Sequence, residues 1–146
     1  MPSIYTEIEI DAPRSRVWQA LIHKENWVKW NTFLYDRNPS QSFSRGHRVL
    51  LSLKRLSDEA ETEFQAHITL MQPDACLKWV ATAPGFRSEH VFELQDIGIN
   101  RTKYAHRENV SGSLSGLFFP FIRRDEQQGL RRMATEIKRY TERTLV

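Results

Sequence analysis

Residues 86–110 have the sequence FRSEHVFELQDIGINRTKYAHRENV, and this stretch decides the fold class. Its side chains alternate between two faces on both sides of residues 97–100, a short segment that contains Gly98 and Asn100. A period of two residues is typical of a β-strand with one buried face. Two such runs joined by a turn predict an antiparallel hairpin.

The same alternation precedes this hairpin over residues 49–53, 63–70 and 77–83. Turns are predicted at residues 71–74 and 83–85, because each contains a proline that would remove a hydrogen bond from a central strand. We therefore expect five hairpin-linked strands between Gly46 and Gly112, forming one antiparallel sheet.

The flanking segments predict one more strand and three helices. Residues 3–10 alternate like a strand, and Asp11 and Pro13 then favour the start of a helix over residues 14–22, followed by a short helix over residues 24–30. From residue 118 to residue 140, apolar side chains recur every three or four positions, which predicts a long amphipathic helix. We expect this helix to begin near Pro120, with residues 117–121 as an apolar first turn or entrance loop.

The predicted order of elements is β-α-α-β-β-β-β-β-α, an α+β arrangement in which the sheet must pack against the long terminal helix. A length of 146 residues fits one domain over residues 1–146. The apolar stretches are too short for a transmembrane segment, and no signal peptide is visible, so we expect a soluble, cytoplasmic protein.

Several local motifs accompany this order: Ile8-Glu9-Ile10-Asp11-Ala12-Pro13, Trp27-x-x-Trp30-Asn31, Phe86-x-x-x-His90-x-Phe92 and His106-x-Glu108-x-x-x-Gly112. With the terminal helix, they resemble the SRPBCC superfamily, whose START-like members have the helix-grip fold, and in particular its polyketide cyclase/dehydrase-like branch. The resemblance implies a curved antiparallel sheet wrapped around the C-terminal helix, with an internal cavity for apolar ligands. The charged segment 43–63 departs from the glycine-rich hairpin that relatives often carry, so the rim of that cavity is not implied by the resemblance.

Composition excludes several classes of function. Cys76 is the only cysteine, which excludes an internal disulfide framework and a multi-cysteine zinc site. No glycine-rich phosphate loop or dinucleotide fingerprint is present, so no cofactor is predicted. The net charge is +3, but the outward basic row of Arg101, Lys103 and Arg107 lacks interleaved aromatic residues, so no nucleic-acid partner is predicted.

Three polar residues lie on faces that otherwise carry aromatic and aliphatic side chains: His90, His106 and Glu108. A buried carboxylate must be paired or hydrated. These groups could bond to one another, to Ser88 and Thr102 or to buried water; they could orient a ligand; or His90 and Glu108 could act as acid and base. Their spacing matches no compact metal motif, so no metal site is predicted.

The function predicted from these observations is binding of a small hydrophobic ligand, of aromatic, polyketide-like or acyl type, in the internal cavity. The polar residues His90, His106 and Glu108 would fix its orientation. The predicted cavity wall consists of Trp27, Trp30, Phe64, Trp79, Phe86, Phe92, Tyr104, Phe118, Ile122 and Met133.

Two alternatives remain open. The first is a polyketide cyclase or dehydratase that uses His90 and Glu108 as acid and base. The second is a protein-interaction module that uses the apolar run at residues 117–122. For this run we favour a lid over the cavity, with a membrane-contacting edge and a homodimer interface as alternatives.

Overall fold

The computed structural model describes residues 3–56 and 58–143, so Ser57, within the charged segment, lies outside the described residues. The strands and helices follow in this order: β1 (Ser3–Ile10), α1 (Arg14–Ile22), a 3₁₀ helix (Lys24–Lys29), β2 (Leu34–Asp36), β3 (Arg48–Leu53), β4 (Thr62–Gln72), β5 (Cys76–Ala83), β6 (Phe86–Gly98), β7 (Arg101–Ser111) and α2 (Ser115–Arg143).

One antiparallel sheet contains all of these strands, in the order β1-β7-β6-β5-β4-β3-β2, and it curls into a half-barrel around α2. The predicted α+β class is confirmed. The sequence analysis did not include β2, which pairs Leu34–Asp36 with β3 at the sheet edge. Three residues are too few for an alternating pattern to stand out, which is why this strand was not predicted.

Helix α2 begins at Ser115, five residues earlier than its predicted start near Pro120. A proline inside a helix removes the hydrogen bond of its own missing amide and crowds the carbonyl four residues earlier, but it leaves the amides of the preceding residues able to donate. The turn before Pro120 is secured independently, because the amides of Leu117 and Phe118 both donate to the carbonyl of Leu114, each at 3.1 Å. Residues 117–121 are therefore helical, and they are not an entrance loop.

The apolar stripe of α2 is fully buried at Leu130, Met133 and Ile137. At Gly129, α2 lies close to Phe33, a residue of the segment that follows the 3₁₀ helix. A Cβ added at Gly129 would lie 2.4 Å from the Phe33 ring. Since Phe33 is itself completely buried, this position requires a residue without a side chain. Within the described residues, no helix combines the length and the apolar composition needed to cross a membrane.

Candidate functional site

A cavity of about 240 Å³ lies between the N-terminal half of α2 and the inner face of the sheet. Exposed residues Thr62, Glu63 and Thr82 form its outer end. Its wall is apolar and its floor is polar. The apolar wall consists of Leu53, Phe64, Ala81, Ala83, Phe86 and Ile122, and the polar groups deeper inside are Arg55, Ser88, His90, Glu108 and Glu126.

The register of β6 and β7 determines which polar side chains meet. His90 pairs directly with Glu108 across the two strands, and Phe92 pairs with His106. Side chains two residues apart on one strand share a face, so these residues all point toward α2. His90 and Glu108 are each 3 % exposed and His106 is completely buried.

Hydrogen bonds and one ion-pair contact link these groups to one another. His90 Nδ1 lies 2.8 Å from His106 Nε2, and His90 Nε2 lies 3.5 Å from Glu108 Oε2. The Ser88 hydroxyl donates to Glu108 Oε2 at 2.6 Å. Thr102, which the sequence analysis had considered as a further partner, donates instead to the carbonyl of Ala12 at 2.7 Å.

Two ionisable residues that the sequence analysis missed complete the floor of the cavity. Glu126 enters from α2 and is 3 % exposed. Arg55 enters from the segment between β3 and β4, and its Nε lies 3.2 Å from Glu126 Oε1. A signal for Glu126 was present in the sequence, because this carboxylate falls on the otherwise apolar stripe of α2. No comparable sequence pattern marked Arg55, which lies in a charged segment.

The environment drives the pKa values of the two carboxyl groups apart. Burial, the negative charge of Glu108 and a hydrogen bond with Glu108 raise the pKa of Glu126 well above its usual value, although Arg55 acts against them. Burial alone would raise the pKa of Glu108 too. However, the charge of His90 and hydrogen bonds from His90, Glu126 and Ser88 lower this pKa below its usual value. The two pKa values therefore shift in opposite directions, so the site favours the ionised form of Glu108 and the protonated form of Glu126.

His106 differs from both carboxyl groups. Burial and the charge of neighbouring His90 hold the pKa of His106 well below its usual value, and Glu108 only partly opposes them. His106 is therefore a neutral imidazole at physiological pH, with one nitrogen that donates and one that accepts.

Two carboxyl oxygen atoms on the cavity floor accept no hydrogen bond from the described residues. Glu108 Oε1 and Glu126 Oε1 are buried and have no hydrogen-bond partner among residues 3–56 and 58–143; the contact of Glu126 with Arg55 lacks the alignment of a hydrogen bond. In addition, His90, Glu108 and Glu126 each offer one potential metal-ligand atom, and these atoms lie within 4.8 Å of one another. The floor can thus accept hydrogen bonds from a ligand or hold a cation.

The structure brings five of the predicted ligand-binding residues to the cavity: Phe64, Phe86, His90, Glu108 and Ile122. Seven others do not line it and are packed in the interior instead: Trp27, Trp30, Trp79, Phe92, Tyr104, His106 and Met133. The aromatic side chains in this set do not line the cavity because their rings pack against other rings in the interior. Trp79, for example, stacks on Phe43 at 5.7 Å and contacts Phe92 at 4.9 Å between ring centroids.

Phe118, the remaining predicted wall residue, is 51 % exposed and points away from the cavity. It forms an exposed apolar patch with Leu117 and Phe121 on the first turns of α2, whereas Phe119 is buried and Ile122 faces the cavity. A helix with apolar residues at consecutive positions cannot bury them all on one face, which explains the division.

A larger depression of about 560 Å³ lies on the outer face of the sheet and includes Tyr5, Glu93 and Lys103 in its lining. None of the predicted ligand-binding residues lies there. The cavity under α2 is therefore the candidate site.

No family model matches the sequence, and no curated protein matches it. Solved structures do match. A START superfamily protein from Mycobacterium smegmatis is 12 % identical, with a TM-score of 0.74 over 97 % of this chain and 98 % of that one. A protein from Arthrobacter aurescens is 16 % identical, with a TM-score of 0.74 over 97 % and 86 % of the two chains.

A third match is DynU16, from the dynemicin biosynthetic locus, which is 15 % identical with a TM-score of 0.70. The match covers 96 % of this chain but only 47 % of DynU16, so the present chain corresponds to about half of that protein. At these identities the likeness concerns the fold alone: over nearly its whole length this chain has a START-like helix-grip fold.

Proposed function

We propose that this protein binds one small hydrophobic molecule in the cavity under α2, with the polar end of the molecule at Glu108 and Glu126. The observation that carries this proposal is a concave site with an apolar wall and a few convergent polar groups on its floor. Sites for small molecules generally combine these two features. The fold supports the proposal, because START-like proteins commonly bind hydrophobic ligands.

The cavity volume limits the size of the ligand. A cavity of about 150 Å³ holds one benzene ring, so about 240 Å³ suits a single ring with a short substituent. A fused polycyclic molecule or a long acyl chain would exceed this volume. Among the ligand types considered from the sequence, a monocyclic aromatic molecule or a short acyl group fits best.

The polar floor selects for a ligand that donates hydrogen bonds. Glu108 Oε1 accepts no hydrogen bond from the described residues, whereas Glu126 Oε1 has its ion-pair contact with Arg55, and an unpaired buried acceptor is unfavourable until it receives a donor. A phenol or an amine would supply a donor to Glu108 while its ring contacts Phe64, Phe86 and Ile122. An apolar ring without a donor would leave Glu108 Oε1 unpaired, so it should bind more weakly.

Ligand-observed NMR and calorimetry with p-cresol, toluene and 2-naphthol test the proposal. We expect p-cresol to bind with 1:1 stoichiometry and more tightly than the other two. Ala81→Leu places a larger side chain in the cavity and should abolish binding. Val80→Leu, on the opposite face of the same strand, is the matched control and should retain it. Equal binding to both variants, or no binding of p-cresol to the native protein, would refute the proposal.

A second candidate is acid–base catalysis on such a ligand. The specific observation in its favour is the pair of buried carboxyl groups on the cavity floor, one with a lowered and one with a raised pKa, because pKa values driven apart in this way allow one group to act as base and the other as acid. For an enzyme, Glu108→Gln and Glu126→Gln should each lower turnover by about 10²–10⁴-fold while the ligand still binds. Unchanged turnover in both variants would leave only the binding function.

The interaction-module alternative rests on the exposed patch of Leu117, Phe118 and Phe121, where Phe121 is 82 % exposed. Under this alternative the patch would form a homodimer or contact another protein, and sedimentation of the native protein and of Phe121→Ser distinguishes the two cases.

We further propose that residues 1–146 form one domain, that the protein is cytoplasmic and that it has no nucleic-acid partner.

A further inference from the structure

We propose that His90, Glu108 and Glu126 form a binding site for one divalent transition-metal ion at the floor of the cavity. In the sequence, His90, His106 and Glu108 match no compact metal motif. The tertiary structure replaces His106 with Glu126 from α2 and thereby creates a three-residue cluster from two strands and a helix.

The distances suit such an ion with small side-chain adjustments. His90 Nε2 lies 3.5 Å from Glu108 Oε2. Two ligand atoms at metal bonds of about 2.1 Å in a tetrahedral site are roughly 3.4 Å apart. The three ligand atoms lie within 4.8 Å of one another, so the widest pair must approach by at most about 1.4 Å, which rotation of a glutamate side chain can supply.

Each of the three ligands already has a second residue that orients it. His106 holds the Nδ1 side of His90 at 2.8 Å. The Ser88 hydroxyl donates to Glu108 at 2.6 Å, and Arg55 lies 3.2 Å from Glu126. Metal-binding histidines and carboxylates characteristically have such outer partners, which hold them in the geometry for coordination.

The cluster also has unused coordination capacity and space. Glu108 Oε1 lacks a hydrogen-bond partner in the described parts of the chain, although its side chain is almost completely buried. Glu108 and Glu126 both line the cavity, which leaves room for water or the polar end of a ligand at the remaining coordination position. A site with three protein ligands and one open position is the arrangement that catalytic zinc proteins use.

The donor set indicates which ions fit. One imidazole nitrogen with two carboxylate oxygens suits Zn²⁺, Co²⁺ or Mn²⁺, whereas Ca²⁺ and Mg²⁺ prefer oxygen alone. This inference goes beyond the proposed ligand-binding function and does not require it, although both use the same cavity.

The test uses the full chain after treatment with EDTA and dialysis. We expect calorimetry with ZnCl₂ to give one bound equivalent, and Co²⁺ to produce the visible absorption of a low-coordinate site. Glu126→Gln removes a ligand oxygen charge at constant shape and should weaken Zn²⁺ binding by at least about 100-fold, while Asp125→Asn, the next residue on α2, should leave it unchanged. Ser88→Ala removes an orienting partner and should weaken binding by about 10–100-fold.

Either of two results would overturn the proposal. One is absence of Zn²⁺ binding to the native protein. The other is undiminished binding to Glu126→Gln and Ser88→Ala, which would place the ion on surface residues such as His23 or His67. If Glu126→Gln fails to fold, Ser88→Ala alone decides. A titration with p-cresol in the presence of EDTA separates the two proposals. Binding of p-cresol without metal would support the ligand-binding proposal, and the ZnCl₂ titration alone would then decide the metal proposal.

Discussion

His90 Nδ1 lies 2.8 Å from His106 Nε2, and this contact determines that the other nitrogen of His90 faces Glu108 and the cavity. His106 itself does not line the cavity. Its ring stacks on Phe92 with 4.0 Å between centroids, which holds it in place beneath His90. His106 is therefore a positioning residue, whose effect on the site passes through His90.

Replacement of His106 by leucine should separate positioning from stability. The variant leaves His90 Nδ1 without its partner, but it also removes His106 Nδ1, a buried atom with no hydrogen bond in the described residues. These effects oppose each other, so we expect the free energy of unfolding to change by no more than about 1 kcal/mol. Zn²⁺ affinity should fall by about 10–100-fold. Urea denaturation and calorimetry check the two expectations, and native-like Zn²⁺ affinity would exclude the positioning role.

Gly129→Ala should destabilise the protein even though alanine favours helices. The new Cβ would lie 2.4 Å from Phe33 Cε1 and 2.5 Å from Cδ1. Because Phe33 is fully buried and cannot move aside freely, we expect a loss of about 1–3 kcal/mol.

Gly116→Ala in the same helix is the control for this substitution. An added Cβ there meets nothing within 4 Å, so the helix propensity of alanine should stabilise the protein by up to about 1 kcal/mol. Equal effects of the two substitutions in chemical denaturation would show that Phe33 does not restrict position 129.

A buried ion pair joins the 3₁₀ helix to the edge strand β2. Lys24 Nζ lies 2.7 Å from Asp36 Oδ1 and also donates to the carbonyl of Asn38 at 2.7 Å, and the two side chains are 1 % and 6 % exposed. Lys24→Met leaves the Asp36 carboxylate buried without its cation, so we expect a loss of about 3–5 kcal/mol.

The double variant Lys24→Met/Asp36→Leu should recover much of that stability, since it leaves no unpaired charge. Lys103→Met removes the cation of an exposed pair with Glu7, and we expect a change of no more than about 1 kcal/mol. Thermal and urea unfolding of the four proteins make this comparison. If Lys24→Met lowered the free energy of unfolding by no more than Lys103→Met does, the Asp36 carboxylate would have to be hydrated in the variant.

Access to the cavity should involve the start of α2 and the turn between β5 and β6. These segments are joined, because the Leu114 amide donates to the Gly85 carbonyl at 2.8 Å and the Leu114 side chain packs on Gly85. Pro120 also denies α2 one backbone hydrogen bond in this region. We therefore expect amides in residues 83–86 and 117–121 to exchange faster than those in residues 125–140.

Hydrogen-exchange mass spectrometry with and without p-cresol measures this difference. Bound ligand should slow exchange in both segments, because it removes the open state from the ensemble. Protection confined to the outer face of α2, around Arg131 and Arg139, would instead place the binding site outside the cavity and favour the interaction module.

Much of the fold could be predicted because it depends on local periodicity. The strands β3 to β7 each show alternation over at least five residues, and α2 shows a helical stripe over more than twenty, so no partner segment is needed to recognise them. β2 has three residues and becomes a strand only through its pairing with β3. The start of α2 was placed too late because its first turn is secured by hydrogen bonds to Leu114, which a rule about proline does not include.

The candidate site was only partly predictable, for a different reason. The sequence alone showed that His90, His106 and Glu108 occupy faces that must be buried, since alternation assigns each side chain to a face. It could not show which aromatic rings would pack against one another, as Trp79 and Phe92 do, and which would leave space, as Phe64 and Phe86 do. That division depends on the curvature of the sheet and on its distance to α2, which the close contact between Phe33 and Gly129 helps to set.

By itself, therefore, the sequence determined the α+β class, the antiparallel sheet and the presence of polar groups on its inner face, because periods of two and 3.6 residues are local properties of the chain. Only the tertiary structure placed Glu126 and Arg55 beside His90 and Glu108. These four residues are far apart in sequence, and their separation in space depends on how α2 packs into the curled sheet. The ionisation of the two carboxyl groups follows from that packing, since burial and mutual charge exist only after the chain has folded.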